Sequence, residues 1–391
     1  MSSAMNQRFT ARYVLVHVVP VALLGAVLLA LWPAAATAAP GDKEYAAAAA
    51  LYNQKAYDLA IEAWKAFLKA APEHSRAVHG QYFLGISHFH QQQFAEAQAA
   101  FETLLKQHPK FEQAEAAGLY LGLSEFSLAR ASGNARDYER AAATFKKLIE
   151  QYPKGSYLPQ ARYYLAEALY AQGKKEEAVP LYQAVIADSK AGALKADALY
   201  ALGVTEEELS HPELAATAYH QFLTEFPKHN LAVEVGFRLG ESFLAREQYA
   251  EAEKYFESAA ANKDFRASDL ANLRVAECLA ARRLYAQAAQ RYQQLVKDFP
   301  ESAYRDKAQL EGGKCAYLAG DFGKAVETLK PLAKAQGEIG AEAAHWTARS
   351  LLRSGDPAEA YRVAEAAAAQ AAKTAFHGQL LLDQADALYE Q

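Results

Sequence analysis

Histidines and a glycine–lysine phrase are the first places to look for chemistry, and neither has the spacing that a site requires. His88 and His90 are two residues apart, so on a helix they point to different sides, unlike the i, i+4 pair of a zinc helix. The phrase "GDFGKA" at 320–325 lacks the G-x-x-x-x-G-K-[ST] spacing of a phosphate-binding loop. We also find no serine nucleophile elbow, paired catalytic acids or dinucleotide fingerprint in the sequence. We therefore predict that the protein is not an enzyme and uses no metal or cofactor.

A recurring set of aromatic residues has the spacing of a surface that binds other proteins. Tyr163 and Tyr170 are seven residues apart, so on a helix both point the same way. Tyrosine combines apolar area with a hydroxyl, which suits recognition of a peptide. The predicted partner-binding residues are Tyr45, Tyr52, Tyr82, Phe89, Phe126, Tyr163, Tyr170, Tyr200, Phe237 and Tyr317. The alternative is that these rings only pack each helix against its neighbours.

Charged residues are distributed unevenly along the same surface. Lys307, Lys314, Arg349 and Arg353 make the late part of the chain more basic, whereas the stretch 206–208 is acidic. A surface divided by charge could orient a ligand, but solvated helix faces explain the same residues without one.

The elements that carry these residues repeat at a regular interval. "AIEAWKAFLKAAP" ends at Pro72 and "AQAAFETLLKQHP" ends at Pro109, which is 37 residues later. In each phrase a small residue is followed four positions on by an aromatic residue and then by Leu or Ile one turn later, which is the apolar stripe of a helix. We name this helix B. The abundance of alanine, the best helix former, favours an all-α protein.

A second helix, helix A, precedes each helix B and carries a Leu-Gly or Leu-Ala step. Examples are Leu84-Gly85, Leu121-Gly122 and Leu239-Gly240. Glycine inside a helix costs roughly 1 kcal/mol relative to alanine, so its recurrence needs a reason. We predict that helix B approaches helix A closely at these positions.

These residues resemble the tetratricopeptide repeat family. In the unit from 159 the matching residues are Leu165, Ala166, Leu169, Gly173, Ala178, Tyr182, Val185 and Ile186. Nine units begin near 41, 78, 115, 159, 196, 233, 269, 306 and 341, and a single helix A follows at 378–391. The resemblance implies an all-α, TPR-like α-solenoid over residues 39–391, a right-handed superhelix of about nine and a half hairpins that binds proteins or peptides on its concave side. The phrase "YPKGSYLPQARYYLAE" has a weaker likeness to Tol–Pal-associated and BamD-type repeat proteins.

Three local departures from the repeat carry their own predictions. The third unit contains seven extra residues, "ASGNARD" at 131–137, either a functional loop or a tolerated surface insertion. Pro331 lies inside helix B of the eighth unit and should end or kink it. Asp356, followed by proline, should cap helix B of the ninth unit.

The two cysteines occupy equivalent positions in adjacent units, because Cys278 and Cys315 are 37 residues apart. Packed helices lie about 8–10 Å apart, whereas a disulfide accepts a Cα separation of about 4.4–6.8 Å. We therefore predict two buried free thiols.

The first forty residues have the features of an export signal. Arg8 and Arg12 precede an uncharged apolar run at 13–32, and the triplet 36–38 fits an A-x-A cleavage site. We predict a signal peptide at 1–38 and a periplasmic mature protein. The alternative is that the run, about as long as a bilayer-spanning helix, is retained as an inner-membrane anchor. A net charge of −5 argues against nucleic acid as a partner.

These observations predict an exported scaffold that mediates protein–protein interactions in cell-envelope organisation. One alternative is a membrane-tethered adaptor for envelope assembly or secretion. Another is the repeat part of a larger protein whose active domain lies beyond residue 391.

Overall fold

The computed structural model describes residues 40–391, and this part of the chain consists of helices joined by short turns. It contains nineteen α-helices and two short 3₁₀ segments, and it has no β-strand. The predicted signal peptide or anchor at 1–38 lies outside these residues. Among the helices described, none is both long and apolar enough to cross a membrane.

The described part of the chain divides into two compact units, with the boundary between residues 209 and 210. We call them unit 1 (residues 40–209) and unit 2 (residues 210–391). In unit 1 the structure describes nine α-helices: α1 (Asp42–Asn53), α2 (Tyr57–Ala70), α3 (Ala77–His90), α4 (Phe94–Gln107), α5 (Ala114–Ser132), α6 (Tyr138–Gln151), α7 (Leu158–Ala171), α8 (Lys175–Ala187) and α9 (Leu194–Glu208). Odd-numbered helices are the predicted helices A and even-numbered ones the helices B. Within this unit each helix packs against the next one in the chain.

Unit 2 follows the same alternation with ten α-helices. These are α10 (Pro212–Glu225), α11 (Ala232–Ala245), α12 (Tyr249–Ala260), α13 (Ser268–Ala281), α14 (Tyr285–Asp298), α15 (Arg305–Leu318), α16 (Phe322–Leu329), α17 (Gly337–Arg353), α18 (Pro357–Gln370) and α19 (His377–Glu390). The all-α, TPR-like solenoid predicted from the repeats is therefore confirmed: helices A and B alternate over the described residues, and the last helix is a helix A.

Helix B approaches helix A closely at the predicted glycines. A Cβ atom placed on Gly122 would lie 2.5 Å from a ring carbon of Phe145, and one on Gly85 would lie 2.8 Å from Phe101. The two phenylalanines are completely buried. Glycine thus provides the space for the helix B ring, which explains why these repeats tolerate its helical cost.

The turn inside most hairpins places one residue in the left-handed backbone region. Lys55, Gln92, Glu247 and Arg283 have φ of 61°, 57°, 59° and 62° there. The equivalent residue in three other hairpins is Gly173, Gly320 or Gly355. The hairpin therefore requires this conformation whether or not the residue is glycine, which adopts it without strain.

The predicted departures are visible in the helices. The extra residues at 131–137 prolong α5 to 19 residues and form a 3₁₀ turn at Ala135–Asp137. Helix α16 has only 8 residues and ends before Pro331, as predicted, with a 3₁₀ turn at Leu332–Lys334. The Asp356 side chain accepts a hydrogen bond from the Glu359 amide at 3.1 Å and caps α18, also as predicted.

Candidate functional site

The structure divides the ten predicted partner-binding aromatics into two groups. The buried ones are Tyr45, Tyr52, Tyr82, Phe89, Phe126 and Phe237, and the half-buried ones are Tyr163, Tyr170, Tyr200 and Tyr317. A buried ring offers little area to a partner, so the first group belongs to the core. The role in binding remains a prediction, and the surface that could carry it is confined to the half-buried residues.

Ring contacts between successive helices A explain why so many of these aromatics are buried. Tyr52 of α1 contacts Phe83 of α3, with ring centroids 4.8 Å apart. Phe89 of α3 contacts Tyr120 of α5 in the same way at 5.1 Å. An equivalent contact joins α5 to α7, where the ring centroids of Phe126 and Tyr164 are 5.7 Å apart. These aromatics pack one repeat against the next. This is the alternative to partner binding that the aromatic pattern allowed, in which the rings pack each helix against its neighbours.

We call the position filled by Phe83, Tyr120 and Tyr164 the stacking position. Tyr120 follows Phe83 by 37 residues, and Tyr164 follows Tyr120 by 44. The seven additional residues are the insertion at 131–137 in the third repeat. This position is not among the residues predicted from the sequence. Aromatic residues recur in the sequence at this interval, and this recurrence could have identified the stacking position.

Three of the half-buried tyrosines lie on α7 and α9 of unit 1, together with several carboxylates. Tyr170 donates its hydroxyl to Glu208 Oε2 at 2.8 Å, and Lys175 Nζ lies 3.1 Å from the same oxygen. From α8, Tyr182 donates its hydroxyl to Glu167 Oε1 at 2.6 Å. We define the tyrosine–carboxylate cluster as Tyr163, Glu167, Tyr170, Asp197, Tyr200 and Glu208.

The carboxyl group of Glu167 is the electrostatic centre of this cluster. Burial raises its pKa to about 7 with the help of the negative charge of Asp197, although the hydrogen bond from Tyr182 opposes the shift. Burial, Glu167 and Asp197 also raise the pKa of the Tyr163 hydroxyl well above its usual value. A carboxyl group poised in this way is sensitive to a positive charge brought beside it.

The fourth half-buried aromatic, Tyr317, lies in a different environment in unit 2. Its ring contacts Trp346 of α17 and Phe322 of α16, with centroids 5.2 and 5.5 Å away. Arg353 lies over the Phe322 ring at 5.0 Å. Tyr317 therefore belongs to a small aromatic cluster. Through its contact with Trp346, this cluster joins two successive helices A of unit 2, α15 and α17.

Elsewhere in unit 2, ion pairs connect one helix A to the next. Arg274 of α13 bonds to Glu241 of α11 through Nε at 2.7 Å, and Lys307 of α15 lies 2.6 Å from Glu277 of α13. Lys314 of α15 lies 2.9 Å from Glu342 of α17. Arg349 of α17 lies 2.7 Å from Asp386 of α19, and His345 Nδ1 lies 2.7 Å from the buried Asp383 Oδ2. We call this series the ion-pair ladder.

The ladder changes the interpretation of the basic residues in the late units. Lys307, Lys314 and Arg349 each have a carboxylate partner on a neighbouring helix A, so their charges hold repeats together. In unit 1, Glu206 is buried and Glu208 is paired with Lys175. The expected division of the surface into a basic and an acidic part is therefore largely neutralised by internal pairs.

The inserted loop of the third repeat, residues 131–137, borders a cleft of about 410 Å³. The cleft is lined by Leu128, Arg136, Asp137 and Arg140, among others. On its wall the nearly buried carboxylate of Glu125 accepts a hydrogen bond from Arg140 Nε at 2.9 Å. Arg140 also pairs with Glu102 of α4. These contacts fasten the start of α6 to its neighbours.

Both cysteines are buried free thiols, as predicted. Burial raises the pKa of Cys278 to about 12 and that of Cys315 to about 11. Within residues 40–391 no group of three or more His, Cys, Asp or Glu side chains could hold a metal ion.

The tetratricopeptide repeat model matches the sequence at residues 45–110, 82–130, 126–193, 200–267 and 237–303. The chain belongs to the tetratricopeptide repeat family. No curated protein matches it in sequence.

Several solved structures are similar to this tetratricopeptide repeat protein. The apo form of RapI is 12% identical, with 80% of this chain and 97% of RapI covered and a TM-score of 0.49. A tetratricopeptide repeat protein from Parabacteroides merdae ATCC 43184 is 17% identical, with 68% and 99% covered and a TM-score of 0.41. PilF of Pseudomonas aeruginosa is 15% identical, with 60% and 98% covered and a TM-score of 0.43.

Proposed function

We propose that the protein is an exported, non-enzymatic scaffold that binds other proteins through its helices A and helps to organise the cell envelope. The observation that carries the binding role is the tyrosine–carboxylate cluster on α7 and α9. Its tyrosines are half-buried, and Tyr163 also packs against the core, so they combine a fixed position with some accessible area. Such rigid aromatic groups are typical anchors of protein interfaces.

The chemistry of the cluster favours a basic side chain of the partner. Glu167, Asp197 and Glu208 bring three carboxylates to one surface, and the pKa of Glu167 is raised because its ionised form lacks solvation. A lysine or arginine of the partner would restore that solvation, and the tyrosine rings would contact its apolar stem. The proposed partner is therefore a polypeptide that presents a basic residue.

A pulldown with cross-linking from cell envelopes tests this proposal. The test variant is Glu167→Gln with Tyr170→Phe, which removes a carboxylate and a hydroxyl but keeps the shape of both side chains. Tyr361 donates its hydroxyl to Glu365 at 3.0 Å on the exposed surface of α18. The variant Glu365→Gln with Tyr361→Phe therefore makes the same chemical change elsewhere and serves as the matched control.

We expect the test variant to recover at least about tenfold less partner than wild type, which corresponds to the loss of one good interfacial contact. The control variant should recover the wild-type amount. Equal recovery by both variants would contradict binding through the cluster.

Export and envelope location are supported by the amino-terminal sequence, with its two arginines and the apolar run at 13–32. The same run supports the second candidate, a membrane-tethered adaptor. Mass spectrometry of the mature protein separates the two: a start at Ala39 excludes the tethered form, and an intact amino terminus excludes cleavage at this site.

A further inference from the structure

A cleft of about 690 Å³ lies between α14, the end of α15 and the start of α16 in unit 2. We call it the α14–α16 cleft. Helix α14 is helix B of the seventh repeat, and α15 and α16 form the eighth repeat. The cleft at the inserted loop lies at the same place in its own repeats, between α4, α5 and α6, and we call it the third-repeat cleft. The two clefts can therefore be compared residue by residue.

The tight contact between helices A and B gives the register of this comparison. Gly122 faces Phe145 in the third repeat. Gly313 faces Leu329 in the eighth repeat, where an added Cβ atom would lie 2.3 Å from Leu329 Cγ. Equivalent positions thus differ by 191 on helix A and by 184 on helix B, because the third repeat contains the seven additional residues at 131–137.

Three larger side chains of the third-repeat cleft are replaced by alanine in the α14–α16 cleft. Ala289, Ala316 and Ala319 line the α14–α16 cleft. The equivalent residues of the third-repeat cleft are Gln98, Glu125 and Leu128. The missing side chains explain why the α14–α16 cleft is the larger of the two. The neighbouring repeats carry Leu279 and Leu351 at the position of Ala316, so the small residue is a local change.

The charged groups of the two clefts differ in a consistent way. In the third repeat, Arg140 bonds to Glu125 through Nε at 2.9 Å and also pairs with Glu102. The equivalent residues of the α14–α16 cleft are Lys324, Ala316 and Gln293. The cation is therefore kept, while both of its carboxylate partners are replaced by uncharged residues. Lys324 is half-buried and forms no ion pair with any residue that the structure describes.

The third repeat thus shows which group the eighth repeat lacks. The space above Ala316 is where a carboxylate stands in the third repeat, and Lys324 lies beside it as Arg140 does. Lys297 adds a second positive charge to the lining. Of the residues that line this cleft, Asp321 is the one acid, and its Oδ1 accepts a hydrogen bond from the Lys324 amide at 3.1 Å. These charges favour a ligand that brings a carboxylate.

The wall formed by α14 suits an extended polypeptide. It runs from Ala286 to Lys297, which is about 16 Å along a helix axis and corresponds to about five residues of an extended chain. Gln290, Gln293 and Gln294 line the same wall. A side-chain amide can donate to a peptide carbonyl and accept from a peptide N–H. The alanines on the other side of the cleft leave room for a backbone to approach.

We propose that the α14–α16 cleft binds an extended polypeptide segment with an Asp or Glu side chain. The carboxylate of this side chain takes the place beside Lys324 that Glu125 has beside Arg140. The site does not depend on the binding role proposed for the tyrosine–carboxylate cluster, which accepts a basic residue instead.

Selection of phage-displayed random heptapeptides on the full-length chain tests the proposal. We expect the retained peptides to share an acidic residue at one position. Their synthetic forms should bind Lys324→Gln at least about tenfold more weakly than wild type, and amidation of the shared acidic residue should have the same effect. Lys254→Gln removes a charge from an exposed position of α12 in the same unit. This control should bind as wild type does.

The variant Ala316→Glu tests the equivalence of the two clefts. Its carboxylate should pair with Lys324 and occupy the cleft, so peptide binding should fall at least about tenfold. Thermal unfolding measures the pair, because Lys324→Gln should lower the unfolding temperature more in the Ala316→Glu background than in wild type. Ala319→Leu, at an exposed position on the rim, restores bulk without charge and should also weaken binding.

The proposal would be overturned by a selection that retains no peptide or retains peptides without an acidic residue. Equal binding by wild type, Lys324→Gln and the two variants that fill the cleft would overturn it as well. Free glutamate that binds as tightly as the peptides would show that the cleft takes a small acid rather than a polypeptide.

Discussion

Units 1 and 2 use the same helical hairpin but connect successive helices A by different chemistry. The stacking position carries Phe83, Tyr120 and Tyr164 in unit 1. The equivalent residues of unit 2 are one aromatic and four charged residues: Trp346, Arg238, Arg274, Glu311 and Asp383. Ring contacts therefore join successive helices A of unit 1, whereas most of the contacts described between helices A of unit 2 are ion pairs, beside the ring contact of Tyr317 with Trp346. The comparison shows that the hairpin backbone and the tight contact between helices A and B define the repeat. The contact between repeats is free to vary.

The ring contacts and the ion pairs should differ in how strongly they hold repeats together and in their response to salt. A buried ring contributes apolar burial and dispersion, which ions do not screen. A half-buried ion pair contributes less, because desolvation opposes the Coulomb attraction and salt weakens it. Substitutions in each unit can measure this difference.

The largest effect is expected for Tyr120→Ala in unit 1. Tyr120 is buried against Phe89 and Phe101, so its removal leaves a cavity and should cost about 3–5 kcal/mol. Hydrogen exchange of α3 to α5 measures the local loss, and the loss should be the same at low and high salt. Tyr120→Phe keeps the ring and is the control. A cost below about 1 kcal/mol would mean that ring contacts do not hold these repeats together.

A smaller effect is expected for Arg274→Gln in unit 2. Arg274 bonds to Glu241 at 2.7 Å and to Glu277 at 2.7 Å, so its loss leaves two carboxylates facing each other. We expect a cost of about 2 kcal/mol at low salt, with part of the cost lost at high salt because screening weakens the wild-type pairs. Hydrogen exchange of α11 and α13 is the measurement. A cost independent of salt would indicate that packing, rather than charge, dominates this contact.

Glu167→Gln should change the pH dependence of unit 1. In the folded protein the pKa of Glu167 is about 7, against an ordinary value of 4.5. The folded state therefore holds its proton where the unfolded state has lost it, and stability falls as pH rises from about 4.5 to 7. The substitution should stabilise the protein by about 1 kcal/mol above this window, after allowance for partial exposure of the carboxyl group, and should not stabilise it below.

Urea unfolding on both sides of the window tests that expectation, with Glu139→Gln on the exposed start of α6 as the control. A stabilisation that is equal at both pH values would mean that the ionisation of Glu167 is not its cause.

The smallest effect is expected for Glu247→Gly in a hairpin turn. Glu247 has φ of 59°, which glycine adopts without strain, so the substitution should stabilise unit 2 by about 0.5 kcal/mol. Glu251→Gly, four residues later and inside α12, should instead cost about 1 kcal/mol. Thermal unfolding of the two variants should thus show shifts of opposite sign, and shifts of the same sign would contradict the role given to the turn.

The sequence predicted features that depend on residues within one hairpin. The space at Gly122, the early end of helix B before Pro331 and the cap at Asp356 all follow from spacings of a few residues. Local patterns of this kind reflect helix geometry directly, and the glycine step also recurs in several repeats.

Features that depend on contacts between repeats were harder to predict. Phe89 was expected on an open surface, but it is buried because Tyr120, 31 residues later, covers it. The pair between Arg349 and Asp386 also joins residues 37 apart. A helix A touches its own helix B, helix B of the preceding repeat and neighbouring helices A, and periodicity alone does not show which of its faces remains open.

The buried thiols have a practical consequence for measuring how each half of the molecule opens. Cys278 and Cys315 are the only cysteines of the chain, and both belong to unit 2. Because their pKa values are raised to about 12 and 11, almost no thiolate is available to an alkylating reagent until the surrounding helices separate. The rate of alkylation therefore reports how often the helices around the two thiols in residues 210–391 separate. It does not respond to unfolding that is confined to residues 40–209.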